Sequence, residues 1–414
     1  MKEKPIINHL TDLDVYKLNM QQLIWSKRRG VPVVLAMNNR TKSVRLADII
    51  PISELQAQLD HCRTLRFTDR ELDYLRSFRL SDGRPQYAPE FVDYLREFQL
   101  PPYELEVGLD GQYDLRFPGA WEEASPWETI GITIVNQLRN QFVLRAQDMT
   151  LQDLYKEGHL RLGRKLEMIS QYPGIRIMEF STRRRCCLDW QEKVICRLMN
   201  ELKPEQLTGT SNVWIAMEQG LKVQGTQAHE LDMVYACLFG DDDDSIRQSH
   251  QQMLKDWWDL YGESLSIALT DTFGSDFFFR DMTREQAMLW KGLRQDSGDP
   301  FKWGERAIQF YKGFGVNPLT KLGVFSDGLW AERIIELYLH FENRLGTCYG
   351  WGTDLGNDLG IDPISLVAKI IRANGRWPVK LSDNLAKAVG RLEDIARAKR
   401  IYGHTHNDTE VCRV

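Results

Sequence analysis

The sequence has no Cys-x-x-Cys pair, although seven cysteines are scattered along its 414 residues. An odd number of thiols, with Cys186 and Cys187 adjacent, argues against a disulfide framework and points to a reducing, cytoplasmic compartment. Long apolar runs are missing too; Val31 to Met37 is strand-sized, far short of a membrane span. Met1 to Lys17 is polar and carries Asp12 and Asp14, so it does not read as a signal peptide. Nor is there an excess of positive charge. The 53 Lys+Arg face 58 Asp+Glu, and a net charge of -5 lacks the footprint of a general nucleic-acid binder. Walker-type Gly-x-x-x-x-Gly-Lys-[Ser/Thr] and His-Glu-x-x-His are both absent, which excludes a P-loop and a zincin. No Gly-x-Gly-x-x-Gly follows an early strand, which argues against a doubly wound dinucleotide-binding sheet.

What is present reads as a globular enzyme. Hydrophobic residues make up 43% and charged residues 27%, and the length suits two or three domains or a barrel with an extension. Up to about residue 150 the texture is mixed. A helical stretch follows Asp14, a strand-like run spans Val33 to Met37, and two alternating runs flank Asp110-Gly111 as a hairpin. Helical patterns follow over Trp127 to Arg145 and Leu151 to Gln171.

After Pro173-Gly174 short apolar runs alternate with helical ones. The runs begin at Arg176, Glu205, Leu221, Leu265, Gly292, Leu322 and Leu345; helix candidates include Asp189 to Leu202, Ser245 to Tyr261, Pro300 to Phe314 and Ala331 to Phe341. Strand–helix alternation predicts a parallel sheet, and about seven units predict a (β/α) barrel. Pro363 to Ser382, with Asn374-Gly375 at its turn, predicts an appended hairpin.

Nearly every run ends in a polar or Gly-rich cluster, and in a parallel barrel all those ends open onto one face. Gly, Ser and Thr at such ends suit backbone N–H and hydroxyl contacts to phosphate, and Arg183, Arg184 and Arg294 supply charge. Asp296 and Asp299 would repel bare phosphate, so Mg2+ or sugar hydroxyls are expected between them and it.

Three segments in this order, Gly209-Thr210-Ser211-Asn212, Gly225-Thr226-Gln227-Ala228-His229-Glu230 and Gly292-Leu293-Arg294-Gln295-Asp296-Ser297-Gly298-Asp299-Pro300, carry a resemblance. With Thr11 to Lys17, they make the chain resemble a nicotinate phosphoribosyltransferase from there to about Asp383. The resemblance implies an irregular (β/α) barrel with a separate mixed α/β domain formed mainly by the N-terminal segment. The expected division is 1–172 for that domain and its connecting helices, 173–362 for the barrel, and 363–414 for a hairpin and tail returning to the N-terminal domain. It implies that nicotinate displaces pyrophosphate from 5-phosphoribosyl-1-pyrophosphate (PRPP) to give nicotinate mononucleotide, with ATP hydrolysed alongside.

The resemblance also implies roles. His229, beside the carboxylate of Glu230, matches a histidine that is transiently phosphorylated. Tyr16 and Phe180 match a pair that stacks on the pyridine ring; Thr226 and Arg294 match its carboxylate contacts, with Arg183 close by. Asp271, Asp296 and Asp299 are candidates for Mg2+–pyrophosphate and ribose, and Ser326, Asp327, Gly352 and Thr353 for the 5-phosphate. In the family the Tyr16 position reaches a neighbouring subunit's site, which implies a homodimer. Asp354 to Asp358 departs from the family pattern in being more acidic.

Rival readings remain open. Nicotinamide-using relatives carry Asp where Ser211 stands, so Ser211 favours the acid substrate. Quinolinate-using relatives expect a more basic site and lack the histidine loop. A non-catalytic nucleotide-metabolite sensor on the same barrel would have no need of Arg294, Asp296 and His229 together. Asp241 to Asp244 reads as a solvated helix cap, and His404, His406 and Asp408 as a solvated end rather than a metal site.

Overall fold

A computed structural model describes residues 4–405. Two sheets carry the architecture. Four antiparallel strands, β1 (Pro32–Asn39), β2 (Glu104–Val107), β3 (Tyr113–Ala120) and β10 (Leu366–Ala373), lie in the order β10-β1-β3-β2. Six parallel strands, β4 (Ile177–Glu179), β5 (Leu207–Thr210), β6 (Ile267–Leu269), β7 (Gly292–Gln295), β8 (Leu322–Phe325) and β9 (Gly346–Trp351), lie in the order β5-β4-β9-β8-β7-β6.

The run at Leu221 adds only an isolated parallel bridge, Val223 to Thr210. With it, chain neighbours are space neighbours and β4 pairs with β9, the cyclic order that a barrel requires. Between the Val223 segment and β6 lies a seam, where the Thr226 hydroxyl reaches the Ile267 carbonyl at 3.3 Å. The run at Glu205 corrects a boundary: its strand starts at Leu207, where the apolar run ends, and continues through Thr210. The helices match closely, for example Asp243–Tyr261, Pro300–Gly313 and Ala331–Phe341.

The hairpin expected over Pro363 to Ser382 forms only in part. Asn374 and Gly375 both have positive φ (49° and 75°), as a tight turn requires. The second arm then leaves the sheet, and Leu381 N–H donates to the Thr272 carbonyl at 2.8 Å. The first arm, β10, pairs with β1. Leu366, Ala368 and Ile370 enter the core, so Val367 and Lys369 face the other way by the two-residue period of a strand.

Helix Trp127–Ala146 joins the two halves. It is buried on all sides from Trp127 to Asn140, and Trp127 stacks on Phe117 of β3 at 4.7 Å. Its Asn136 amide donates to the Arg185 carbonyl at 2.7 Å, and Thr133 to that of Thr182 at 3.3 Å, so it holds the loop after β4. The N-terminal segment is pinned to the same loop. Asp12 takes a two-pronged ion pair from Arg185 (2.6 Å each) and a hydrogen bond from Asn212 (2.7 Å), all buried.

Candidate active site

The carboxyl ends of the parallel strands open into one cavity, closed on its far side by the N-terminal segment and β10. Phe180, Ser211, Gly225, Asp296, Ser326 and Gly352 line it from the strand ends. Asp14, Tyr16, Glu128 and Lys369 face them.

At one end two aromatic side chains share the wall. Phe180 follows β4 and lies over Gly350, where a Cβ would come within 2.6 Å of its ring; only glycine fits. Tyr16, from helix Val15–Lys27, accepts a hydrogen bond from Arg183 (3.3 Å) and donates to Glu128 (3.4 Å). Tyr16 thus lines the cavity of its own chain. Glu128 also pairs with Lys17 (2.6 Å) and Lys369 (3.2 Å). Burial opposes its ionisation, but these cations prevail and hold its carboxyl well below the usual range. Lys369 is pushed down to about 8 by burial and by Arg183 and Lys380, against Glu128.

An acid stands at this end despite Ser211. The Ser211 hydroxyl donates to Asp14 at 2.5 Å, and burial raises Asp14 to about 6. The N-terminal segment therefore supplies a carboxyl next to the position from which residue choice had removed one.

His229 sits between the two ends, almost fully buried. Its Nε2 lies 2.8 Å from Asp296 Oδ2 and 3.8 Å from Asp271, and its Nδ1 lies 3.0 Å from the Thr272 hydroxyl. Burial, then the charge of Lys380, pushes the ring down to about 4, so it is neutral at pH 7. Burial works against Asp296 as an anion, but the His229 hydrogen bond and Arg294 hold it well below the usual range. Glu230 is not the partner of His229. It turns away to Lys17 (2.6 Å) and the Trp121 indole (2.7 Å), joining the N-terminal helix to the barrel.

Beyond His229 the cavity continues into a cationic compartment, where Arg40, Arg184, Lys369, Lys380 and Lys387 outnumber Asp296 and Asp327. Burial, then Arg183 and Arg40, lowers Arg184 to about 10; Lys380 is lowered by burial as well. Such crowding is relieved when a polyanion enters.

Most predicted residues meet here: Tyr16, Phe180, Arg183, Ser211, His229 and Arg294 line the cavity. Asp296, Ser326, Gly352 and Thr353 do too, and Asp327 lines the cationic compartment, paired with Lys387. Besides Glu230, three others do not line the cavity. Thr226 holds the barrel seam. Asp299 caps helix Pro300–Gly313, accepting from Phe301 N–H at 2.8 Å. Asp271 is fully buried beside His229 Nε2 (3.8 Å), its Oδ2 accepting from Ser297 at 2.5 Å. The acidic departure after Gly352 is neutralised, as Asp354 and Asp358 pair with Lys165 at 3.0 and 2.7 Å. His404 corrects the solvated-end reading: it is buried, with Nε2 2.9 Å from the Ser382 carbonyl. His406 and Asp408 lie outside the described residues. Sequence reasoning missed Glu128, Arg40, Lys369, Lys380 and Lys387, none of which sits in a local motif; Lys369 was legible only as a charge on the outward face of an alternating strand.

Aromatic walls beside a buried histidine and clustered cations, all at the carboxyl ends of a parallel sheet, define an α/β transferase that handles phosphates without a P-loop. The nicotinate phosphoribosyltransferase family model matches residues 175–407, and the model of that family's N-terminal domain matches 11–136. Crystal structures of two nicotinate phosphoribosyltransferases superpose along nearly the whole chain. That from Vibrio cholerae is 31% identical (TM-score 0.85), covering 99% of this chain and 95% of its own. That from Porphyromonas gingivalis is 26% identical (TM-score 0.85), covering 96% and 100%. The chain belongs to the nicotinate phosphoribosyltransferase family. Among the described residues, no helix is long and apolar enough to cross a membrane.

Proposed function

We propose that this enzyme joins nicotinate to the ribosyl carbon of PRPP and couples that step to ATP hydrolysis through a phosphohistidine at His229. One observation carries the reading: the Tyr16–Phe180 end and the cationic compartment adjoin, with His229 and Asp296 lining both. A flat pyridine ring suits the first part and phosphates suit the second. The pyridine nitrogen attacks C1 of the ribose as the bond to pyrophosphate breaks. The transition state is oxocarbenium-like, so the ionised Asp296 stabilises it and no protein nucleophile is needed. Arg183, Arg294 and Lys369 favour an acid over an amide at the ring end. The amide reading draws on Asp14, because the other carboxylate at this end, Glu128, is taken up by Lys17 and Lys369.

Asp271 and Asp296 fit Mg2+. They and His229 form a cluster with ligand atoms within 4.8 Å of one another, and Asp271 Oδ1 is buried without a hydrogen bond. These two carboxylates would hold the ion, which when bound screens the pyrophosphate charge. The division at 172 and 362, the homodimer and a cytoplasmic location rest on the family resemblance and on composition.

Turnover with PRPP, using nicotinate or nicotinamide with and without ATP, tests the reading. Nicotinate with ATP should be fastest, and faster use of the amide overturns it.

A further inference from the structure

A histidine that acts as a nucleophile carries one ring proton, and His229 has two nitrogens on which to place it. Two groups compete for that proton. On the cavity side Asp296 Oδ2 lies 2.8 Å from Nε2. Behind the ring, Nδ1 lies 3.0 Å from the Thr272 hydroxyl, which donates to Asp232 Oδ2 at 2.8 Å. A hydroxyl has one proton, so a Thr272 committed to Asp232 can only accept from Nδ1.

Asp232 takes its side-chain hydrogen bond from Thr272, with the imidazole of His250 nearby. It lies three residues after His229 in helix Glu230–Leu238, is 3% exposed, and its Oδ1 is buried without a hydrogen bond. A buried carboxylate with an unsatisfied oxygen destabilises a fold, so its place behind the ring calls for a functional reason.

We propose that Asp232 and Thr272 are positioning residues that hold the ring proton on Nδ1 once a nucleotide and its cation engage Asp296. Nε2 is then bare and faces the cavity. Its lone pair forms the bond to the γ-phosphorus of ATP while the bond from phosphorus to the ADP oxygen breaks, the electron pair leaving with ADP. The phosphorylated ring keeps its Nδ1–H and a positive charge, which Asp232 offsets through Thr272. When water later attacks phosphorus, the lone pair returns to Nε2, phosphate departs, and the water's proton goes to solvent. The proposal rests on the phosphohistidine reading above.

The test compares Asp232→Asn, Thr272→Val and Thr272→Ser with wild type and His229→Ala. The first two should lose about 10²-fold in ATP-stimulated kcat, with the KM values for nicotinate and PRPP unchanged. Thr272→Ser should restore it, because the hydroxyl alone matters. With ¹⁵N-histidine and a non-hydrolysable ATP analogue with Mg2+, wild type should show the Nδ1–H tautomer at His229, and Thr272→Val should not. Thr272→Val is isosteric and keeps the comparison open should Asp232→Asn fail to fold. Undiminished stimulation in Thr272→Val, or an unchanged tautomer, overturns the relay. Stimulation surviving in His229→Ala overturns the phosphohistidine reading itself, so the two failures are distinguishable.

Discussion

The two walls of the cavity are built by different rules. The wall from the parallel sheet is made of strand-end loops, and its residues stand in short contiguous motifs such as Gly225 to Glu230. The opposite wall, from the N-terminal segment and the residues around β10, is made of single side chains far apart in sequence: Asp14, Tyr16, Glu128 and Lys369. The first contributes hydroxyls, glycines and the His229–Asp296 pair; the second supplies most of the positive charge. Chemistry needs fixed local geometry and so leaves motifs, whereas charge acts over distance and can come from anywhere in the chain.

Cutting the joint between the walls should have the largest effect. Asp12→Ala leaves the buried Arg185 unpaired and should cost about 3–5 kcal/mol in denaturant unfolding. On the motif wall, His229→Ala should abolish ATP stimulation while leaving ATP-independent turnover, a loss of at least about 10²-fold by steady-state assay. On the charge wall, Lys380→Met should raise the KM for PRPP about 10-fold or more and barely move that for nicotinate. Equal effects on both substrates would break the division of labour.

A smaller effect concerns pH. Burial raises Asp14 from 3.8 to about 6, so the native state holds a proton that the unfolded chain releases. Its contribution is full below pH 3.8 and lost as pH rises through 6. The stability advantage of wild type over Asp14→Asn should therefore shrink from pH 4 to pH 7 in urea titrations. Smallest is Asp299→Ala, expected to cost about 1 kcal/mol as a lost helix cap with unchanged KM values. A large rise in the KM for PRPP would return Asp299 to the site.

The same contrast explains what was legible. Strand–helix rhythm is local, so the parallel strands and their helices were readable, with only the weak runs at Glu205 and Leu221 displaced or reduced to a bridge. Motif residues such as His229 and Arg294 were readable for the same reason. Side-chain direction was not: Glu230 adjoins His229 in sequence, yet it points to Lys17 and Trp121. Nor was the path of the chain after Asn374-Gly375, because a turn signal reports the turn and not whether the following arm pairs. Lys380 lies on that arm and Lys387 just beyond it, and their role was hidden with it.

The pairing of β1 with β10 has a consequence for biosynthesis. Residues 32–39 leave the ribosome early and acquire this neighbour only after roughly 330 further residues, some 15–65 s later at ordinary elongation rates. Until then β1 has one open edge, a template for pairing with the wrong chain. The cationic compartment cannot exist before that edge is filled, since Lys369 arrives with β10 and Lys380 and Lys387 follow it. Anion binding is thus a late property of the nascent chain, gained only after every strand of the parallel sheet has been made.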